Sequence, residues 1–393
     1  MSATVRTVDV AVIGVGTMGS MALWQLSKVP GLRVLGLEQY GPAHTHGSFS
    51  GESRLFRAAA KEGALYVPAA LEARRLWQEL EAESGRQILL PVGALSIGPR
   101  GFADLEATRE TIREYDLPAQ ELGVDELRER YPQFALEADD VGILDELGGG
   151  IRPEVAVMTA TERAVAGGAE VTYRTEVLGL AEDADGVTLT TSAGAVRAGH
   201  VVVTAGSWTS RVLPELTSLI HVEAYALSWF MPRHIEQFGP DVMPVFMRDL
   251  DGVHAFGAPS LDGYSIKICP KLSWEPVDHP SRIPSGLTSE QIAWLGQQAH
   301  RMIPDLVPDP VRWSIHHDSV TPTHVPVIDR IGAGRAGAGR AGAGRISVAT
   351  GMSGNGFKFA PAYGRILAEL ATRGSSEWQQ PAFTLSGHLA RAA

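Results

Sequence analysis

The sequence predicts an α/β chain, α+β overall, in which a Rossmann-like domain is interleaved with a second domain built on a large mixed or antiparallel β-sheet. Three observations carry this. The N-terminus runs strand, glycine turn, helix, strand within its first forty residues. Apolar runs of strand length return later, in "HVVVTAGSW" at 200–208 and in "VPVIDRI" and "RISVAT" near the C-terminus. Between them, residues 221–320 break into strands separated by turns.

The first element is the most informative. Val8–Ile13 is an apolar run, Gly14, Gly16 and Gly19 spell G-x-G-x-x-G, Met21–Leu26 reads as a helix, and "LRVLGLEQY" is a second strand reaching Glu38. This is a dinucleotide fingerprint in its strand–turn–helix–strand setting. Gly14 permits the tight turn, Gly16 lets the backbone approach a pyrophosphate, and Gly19 lets the helix pack on the strand. The helix N-terminus then faces the phosphates. Thr17 and Met18 in the same turn, and Gln39 beside the acid, are expected cofactor contacts. Glu38 lies 24 residues after Gly14, placed to accept hydrogen bonds from a ribose 2′-OH. A carboxylate there disfavours the 2′-phosphate of NADP. The fingerprint alone leaves FAD and NAD open; its extreme N-terminal position favours FAD.

The remaining elements follow in order. "GPAHTHGSFSGESRLFR" (41–57) reads either as a surface loop or as a loop laid over a cofactor, with Ser48, Ser50, Arg54 and Arg57 as its candidate contacts. Residues 63–83 have a helical apolar period. "ILLPVGALSIG" (88–98) looks like a strand pair leaving the first domain, and 102–132 read as helical with an acidic, solvated face. Residues 148–183 begin with a glycine turn and continue as a helix, then a strand ending at Val177. The apolar strand after residue 200 leads to Gly206 and a helix start. The short strands of 221–320 suggest an antiparallel sheet that shapes a substrate pocket, with a helix over 289–303.

Near the C-terminus, 332–345 repeat "GAGRAGAGRAGAGR" and read as an expanded loop without a catalytic role. "GMSGNGFKF" (351–359) follows the strand "ISVAT": its glycines form a loop with exposed N–H groups, and Lys358 opens the next helix. Helix dipole and lysine both favour negative charge there. The bland alternative for Lys358 is a solvated helix start. Residues 1–86, 148–218 and 321–393 are therefore assigned to the first domain, and 87–147 and 219–320 to the substrate domain.

Composition narrows the function. A net charge of −11 and a pI near 5.6 argue against nucleic acid or an anionic membrane as partner. Cys269 is the single cysteine, so neither an intramolecular disulfide nor a thiolate metal cluster is expected. No run reaches the ~18 apolar residues a bilayer span needs, and no signal peptide is evident, so a cytoplasmic protein is expected. All but five of the 34 basic residues are arginine, which makes each lysine worth a question.

Together, the fingerprint, "HTHGSFSGESRLFR", "YVPAALEARRLWQELE", "VVVTAGSW", "GYSIK", "TPTHVPVID" and "GMSGNGFKF" resemble the monomeric sarcosine oxidase and N-methyltryptophan oxidase family. These FAD-dependent amine oxidases are related to D-amino acid oxidase. The resemblance covers nearly the whole chain. It implies a largely monomeric enzyme with a discontinuous FAD domain of the glutathione-reductase type and a flavin ring lying between the domains. Lys358, with Gly351, Gly354, Asn355 and Gly356 around it, matches the group at the flavin N1/C2=O edge and the lysine that holds the substrate carboxylate. Arg57 matches the arginine on the carboxylate's other side, Arg54 the arginine facing the flavin ring, and Lys267 the lysine that serves oxygen activation. Ser48, Ser50, Val177 and Gly206 fall on cofactor-binding segments. Without the resemblance, Lys267 reads as a solvent-facing residue of an alternating strand.

The chain also departs from the family. The cysteine that usually carries FAD falls on His316, so a cysteinyl linkage at that position is impossible. FAD is expected to be non-covalent, with a histidyl link at His316 or His317 as the alternative. Ser50 stands for a histidine, Phe256 for a pocket tyrosine, Lys271 for another histidine and Asp318 for a tyrosine. These changes argue against sarcosine itself. Lys271 and Asp318 would recognise extra polar groups or pair with each other.

The expected reaction is oxidation of a secondary amine, an N-methyl or cyclic amino acid, by hydride transfer to flavin N5. It would give an imine and, from O2, H2O2, with Arg57, Phe256, Lys271, Asp318 and Lys358 shaping the substrate pocket. Alternatives are a tailoring enzyme of specialised metabolism that desaturates or cyclises an amine, an aromatic monooxygenase, and a non-catalytic flavoprotein.

Overall fold

A computed structural model describes residues 5–331 and 344–392. The repeat at 332–345 lies outside the described residues except for its last two. No helix among the described residues is long and apolar enough to cross a membrane.

Five parallel strands form the centre of the first sheet: Glu170–Thr172, Val34–Leu37, Arg6–Ile13, Gly194–Val203 and Ile346–Thr350, side by side in that order. Their sequences are near-continuous apolar runs because a parallel sheet is covered on both faces. The helices Thr17–Ser27, Pro153–Ala166 and Ala360–Arg373 pack together beside it. At Gly364 the last of these meets the first backbone to backbone: a Cβ there would stand 2.6 Å from the Met21 carbonyl carbon. Strand Gly194–Val203 is shared. Its first half pairs antiparallel with Val187–Thr191, and its second half pairs with Ile346–Thr350.

The second sheet has eight strands. Its centre is His221–Pro232, Ile266–Pro270, Val253–Ala258 and Val245–Leu250, flanked by Leu306–Val320 on one side. On the other side lie Ala94–Pro99, Asp140–Asp145 and Ala119–Leu122. All pairs are antiparallel except Val245–Leu250 with Ala94–Pro99, so the sheet is mixed. A third, small sheet of Arg54–Phe56, Gly149–Ile151 and Leu89–Leu90 forms where the chain passes between the other two.

Three elements differ from the sequence expectation. Residues 102–132 are not helical throughout: strand Ala119–Leu122 separates the helices Ala103–Tyr115 and Val124–Arg130. The first helix stops because Asp116 turns left-handed (φ 49°) and Pro118 follows. Val177 begins a strand, Val177–Glu182, rather than ending one, because Arg174 (φ 54°) turns the chain after Glu170–Thr172. Finally, His221–Pro232 and Leu306–Val320 are not short; at 12 and 15 residues they pair along nearly their whole length.

Register decides what the second sheet shows to the first. Phe256 lies opposite both Cys269 and Met247, while Lys267 lies opposite Ala258 and Trp229. Facing residues share a side of the sheet, and so do residues two apart. Met247, Phe256, Cys269, Lys267 and Lys271 therefore point the same way.

Candidate active site

A cavity of about 570 Å³ runs from the glycine turn of the first sheet to this face of the second. At the turn, Gly14 has φ +85°, and a Cβ there would lie 2.6 Å from the Thr204 carbonyl oxygen. Gly19 sits tighter still, since its Cβ would fall 1.8 Å from the Gly14 oxygen. Gly16 differs: a Cβ there meets only the Phe49 ring, at 3.8 Å, and Gly16 lines the cavity. The Glu38 carboxylate accepts from the backbone N–H groups of Val15 (2.8 Å) and Tyr40 (2.9 Å), with His44 Nε2 3.2 Å away. Burial pushes its pKa up, but His44 and the amides outweigh burial and hold it below the usual range. The cavity thus begins at close-approach backbone and a fixed anion, the donor and acceptor set a pyrophosphate and a ribose need. Residues present fit FAD.

Next to the turn, the segment before strand Arg54–Phe56 is pinned from several sides. Arg54 Nη2 donates to the carbonyls of Ser48 (2.9 Å) and Ser50 (2.6 Å), and the Tyr225 hydroxyl donates to Ser48 O (2.6 Å). The amides of Gly51 and Glu52 donate to Glu154 at 2.6 and 3.2 Å. Lys267 Nζ donates to the carbonyls of Gly51 (2.9 Å) and Ser53 (2.7 Å). Lys267 is not solvent-facing: it is buried, and burial, then Arg54, pull its pKa down to about 7.

Beyond Arg54–Phe56, Asp145 accepts the amides of Ala58 (2.7 Å) and Ala59 (2.9 Å), which fixes the chain leaving Arg57. Arg57 Nη2 donates to Glu62 Oε1 at 3.1 Å, and Lys358 Nζ donates to the same oxygen at 3.2 Å. Lys358 also reaches Asn355 Oδ1 at 3.4 Å, and Trp77 Nε1 braces its carbonyl at 3.2 Å. Burial alone would raise the Glu62 pKa, but Lys358 and Arg57 hold it at about 2. Burial lowers Lys358 to about 8, with Glu62 opposing. Arg57 Nη1 and Glu62 Oε2 are buried without a hydrogen-bond partner among the described residues.

The glycine loop after Ile346–Thr350 lies against the end of Leu306–Val320. Gly351 N donates to Ser319 Oγ (3.0 Å) and Gly354 N to Asp318 Oδ2 (2.7 Å). Asp318 Oδ1 also accepts from Ser319 N (2.8 Å) and Ser48 Oγ (3.3 Å). Burial pushes Asp318 up to about 6. His316 is buried, stacked on Tyr225, with Nδ1 3.3 Å from Ser50 Oγ and Nε2 2.8 Å from Ser314 Oγ. Burial lowers its pKa to about 3, so the ring is neutral.

Of the residues named from sequence, most line the cavity: Gly14, Gly16, Thr17, Met18, Glu38, Gln39, Ser48, Arg54, Arg57 and Val177 from the first part of the chain. Gly206, Phe256, Lys271, Asp318, Gly354, Asn355, Gly356 and Lys358 join them from the rest. Gly19, Ser50, Lys267, His316 and Gly351 stand behind this lining. Lys271 does not pair with Asp318; it is exposed at the cavity edge, and its amide donates to His254 O at 2.9 Å. Sequence reasoning missed Glu62, Tyr225, Met247 and His254. Glu62 had a signal: with Lys61 it interrupts the small-residue run "AAAKEGALY" five positions after Arg57.

A cavity that starts at a nucleotide turn and ends on the face of a second sheet is the architecture of a flavoprotein oxidoreductase. A family profile described as FAD dependent oxidoreductase (DAO) matches residues 9–370. Monomeric sarcosine oxidase of Streptomyces avermitilis is 32% identical over 375 residues, 94% of this chain and 95% of that protein. N-methyl-L-tryptophan oxidase of Yersinia pestis is 28% identical over 385 residues, 96% and 98% of the two chains. Among solved structures, NikD, "an unusual amino acid oxidase essential for nikkomycin biosynthesis", superposes with a TM-score of 0.81 at 25% identity, covering 96% of this chain and 97% of that one. The chain belongs to the FAD-dependent oxidoreductase family, and within it is similar to the monomeric sarcosine oxidases.

Proposed function

We propose that this enzyme oxidises a secondary amine that carries one carboxylate, an N-methyl or cyclic amino acid, to an imine, and passes the electrons to O2 as H2O2. The observation that carries this is the group of Arg57, Lys358 and Glu62. Two cations and one anion leave a net charge of +1 in a buried place. Arg57 Nη1 has no partner there among the described residues. A single substrate carboxylate neutralises the group and satisfies that donor, which a buried guanidinium strongly favours.

The nucleotide turn and the glycine loop before Lys358 would hold FAD, which would supply the two-electron acceptor for a hydride from the carbon beside the amine nitrogen. Arg57 and Lys358 orient the substrate by its carboxylate. Phe256 and Met247 supply an apolar wall that keeps water from the reacting carbon. Lys267, buried behind them near Arg54 with its pKa drawn down to about 7, provides positive charge for the oxygen reaction in its protonated form. The imine hydrolyses, or persists if cyclic.

The test is anaerobic. The yellow protein is mixed with a panel of N-methyl and cyclic amino acids, and the flavin band is followed. Bleaching by an amino acid, then recolouring with peroxide on admitting air, is the expected result. Bleaching by NADPH alone would mark a monooxygenase instead. A second reading, a tailoring enzyme that desaturates or cyclises an elaborate amine, is favoured by the charged Lys271 and Asp318 in the cavity and by the likeness to NikD. It differs in product, so mass analysis of the bleaching reaction separates the two.

A further inference from the structure

The geometry points to Asp318 as the residue that receives the ammonium end of the substrate and takes up its proton before oxidation. This rests on the carboxylate-binding role read above for Arg57 and Lys358.

Four carboxylates line the cavity among the described residues: Glu38, Glu176, Glu223 and Asp318. Glu38 lies at the nucleotide turn, 3.2 Å from His44. Glu176 pairs with Arg211 at 2.9 Å and Glu223 with His221 at 2.8 Å. Asp318 has no ion-pair partner among the described residues, yet it is firmly oriented by two backbone amides and the Ser48 hydroxyl. One of those amides belongs to Gly354, in the loop that ends at Lys358. The same loop therefore presents a cation for a carboxylate and positions an anion a few residues away.

Charge completes the argument. An amino acid at neutral pH is a zwitterion. The Arg57, Lys358 and Glu62 group, at +1, balances its carboxylate and leaves the ammonium unmatched. A carboxylate facing the same cavity can match it, and buried charges require such pairing. Only the free amine has the lone pair that drives loss of the α-hydrogen. In the proposed step an ammonium N–H bond breaks, its electron pair stays on nitrogen, and the proton goes to an oxygen of Asp318. The groups facing Asp318 are Arg54, Tyr225 and, opposite it on the neighbouring strand, Glu223; the loop Gly351–Gly356 adds no ionisable side chain. Burial raises the Asp318 pKa to about 6, so it is largely ionised at pH 7.5 and basic enough to hold a proton transiently.

The test uses the holoenzyme and two isosteric carboxylates, betaine with a permanent cation and 3,3-dimethylbutanoate with carbon in its place. Neither can be oxidised at nitrogen. Binding is read from perturbation of the flavin spectrum. The ratio of the two affinities should favour betaine roughly tenfold more in the wild type than in D318N, the size of one charge-assisted contact. In the wild type alone the betaine preference should fade between pH 7.5 and 5, after allowance for the ligands' own ionisation. A ratio that is the same in wild type and D318N, or that does not change with pH, overturns the role of Asp318 while leaving the carboxylate site intact. Failure of both ligands to bind overturns the carboxylate site itself. Should D318N not fold, the wild-type pH series alone decides.

Discussion

Arg57 and Lys358, far apart in the chain, meet on one oxygen atom: Arg57 Nη2 is 3.1 Å and Lys358 Nζ 3.2 Å from Glu62 Oε1. Two cations held this close in a buried place need an anion between them. Glu62 supplies it, and on the proposed reading its charge leaves room for a single substrate carboxylate.

Replacing Glu62 with glutamine removes that anion and leaves two adjacent like charges. The variant should lose roughly 3–5 kcal/mol of stability, the scale for breaking one side of a buried ion pair. A simple carboxylate such as acetate should restore part of it, so the ligand-induced rise in Tm should be larger in E62Q than in the wild type. An equal rise in both would show that the substrate carboxylate does not bind beside Glu62.

Carboxylate binding should depend on Lys358. Its pKa is about 8, so it is cationic below that pH and neutral above it. Affinity for a carboxylate inhibitor should hold steady from pH 6 to 7.5 and weaken as pH rises through about 8. The K358M variant should bind roughly 10- to 100-fold more weakly, as loss of a charge-assisted hydrogen bond implies, and should lose this pH dependence. Titration of the flavin spectrum with the inhibitor at each pH measures both effects.

Two glycines of one turn should fail differently. In G19A the new Cβ would fall 1.8 Å from the Gly14 oxygen, so the helix cannot sit on the turn and the protein should be unstable even as apoprotein. In G16A the Cβ meets only Phe49 at 3.8 Å but projects beside the pyrophosphate path. G16A should fold with a near-normal apoprotein Tm and bind FAD more weakly, by calorimetric titration.

Acid precipitation should release the flavin into the supernatant. His316 stands behind the cavity lining with both ring nitrogens occupied, by Ser50 and Ser314. Cys269 lines the cavity, but burial raises its thiol pKa and keeps it protonated. A yellow pellet would show a covalent bond and turn attention to His317.

Lys267→Met separates two roles. A cation that serves oxygen should, when lost, slow reoxidation of the reduced enzyme by about a hundredfold, the scale for one electrostatic contact to developing charge, with the reductive step little changed. If only Tm falls, the lysine merely braces the carbonyls of Gly51 and Ser53.

Much of the first sheet was legible because its signals are local. The fingerprint glycines are demanded by contacts inside the turn or with the neighbouring strand, and Glu38 ends the next strand in sequence. Misreadings arose where a single residue interrupts a pattern, as Asp116 and Pro118 do within 102–132 and Arg174 does before Val177. Arg57, Lys267 and Lys358 came into view through family resemblance; composition and period alone left Lys267 on a solvent-facing strand.

By itself, the sequence determined the nucleotide turn and the return of the chain to two sheets, and family resemblance pointed to the cations. Tertiary structure alone decided which charges meet. Glu62 carries no local mark of its partners, and Asp318 lies in a strand whose pattern does not say which groups will cover it. Both carboxylates owe their chemistry to burial and to neighbours brought in from distant segments: Lys358 and Arg57 hold Glu62 ionised, while burial pushes Asp318 up to about 6 against the amides, Ser48 and Arg54. Electrostatic energy depends on distance and desolvation through space, and neither quantity is written along the chain.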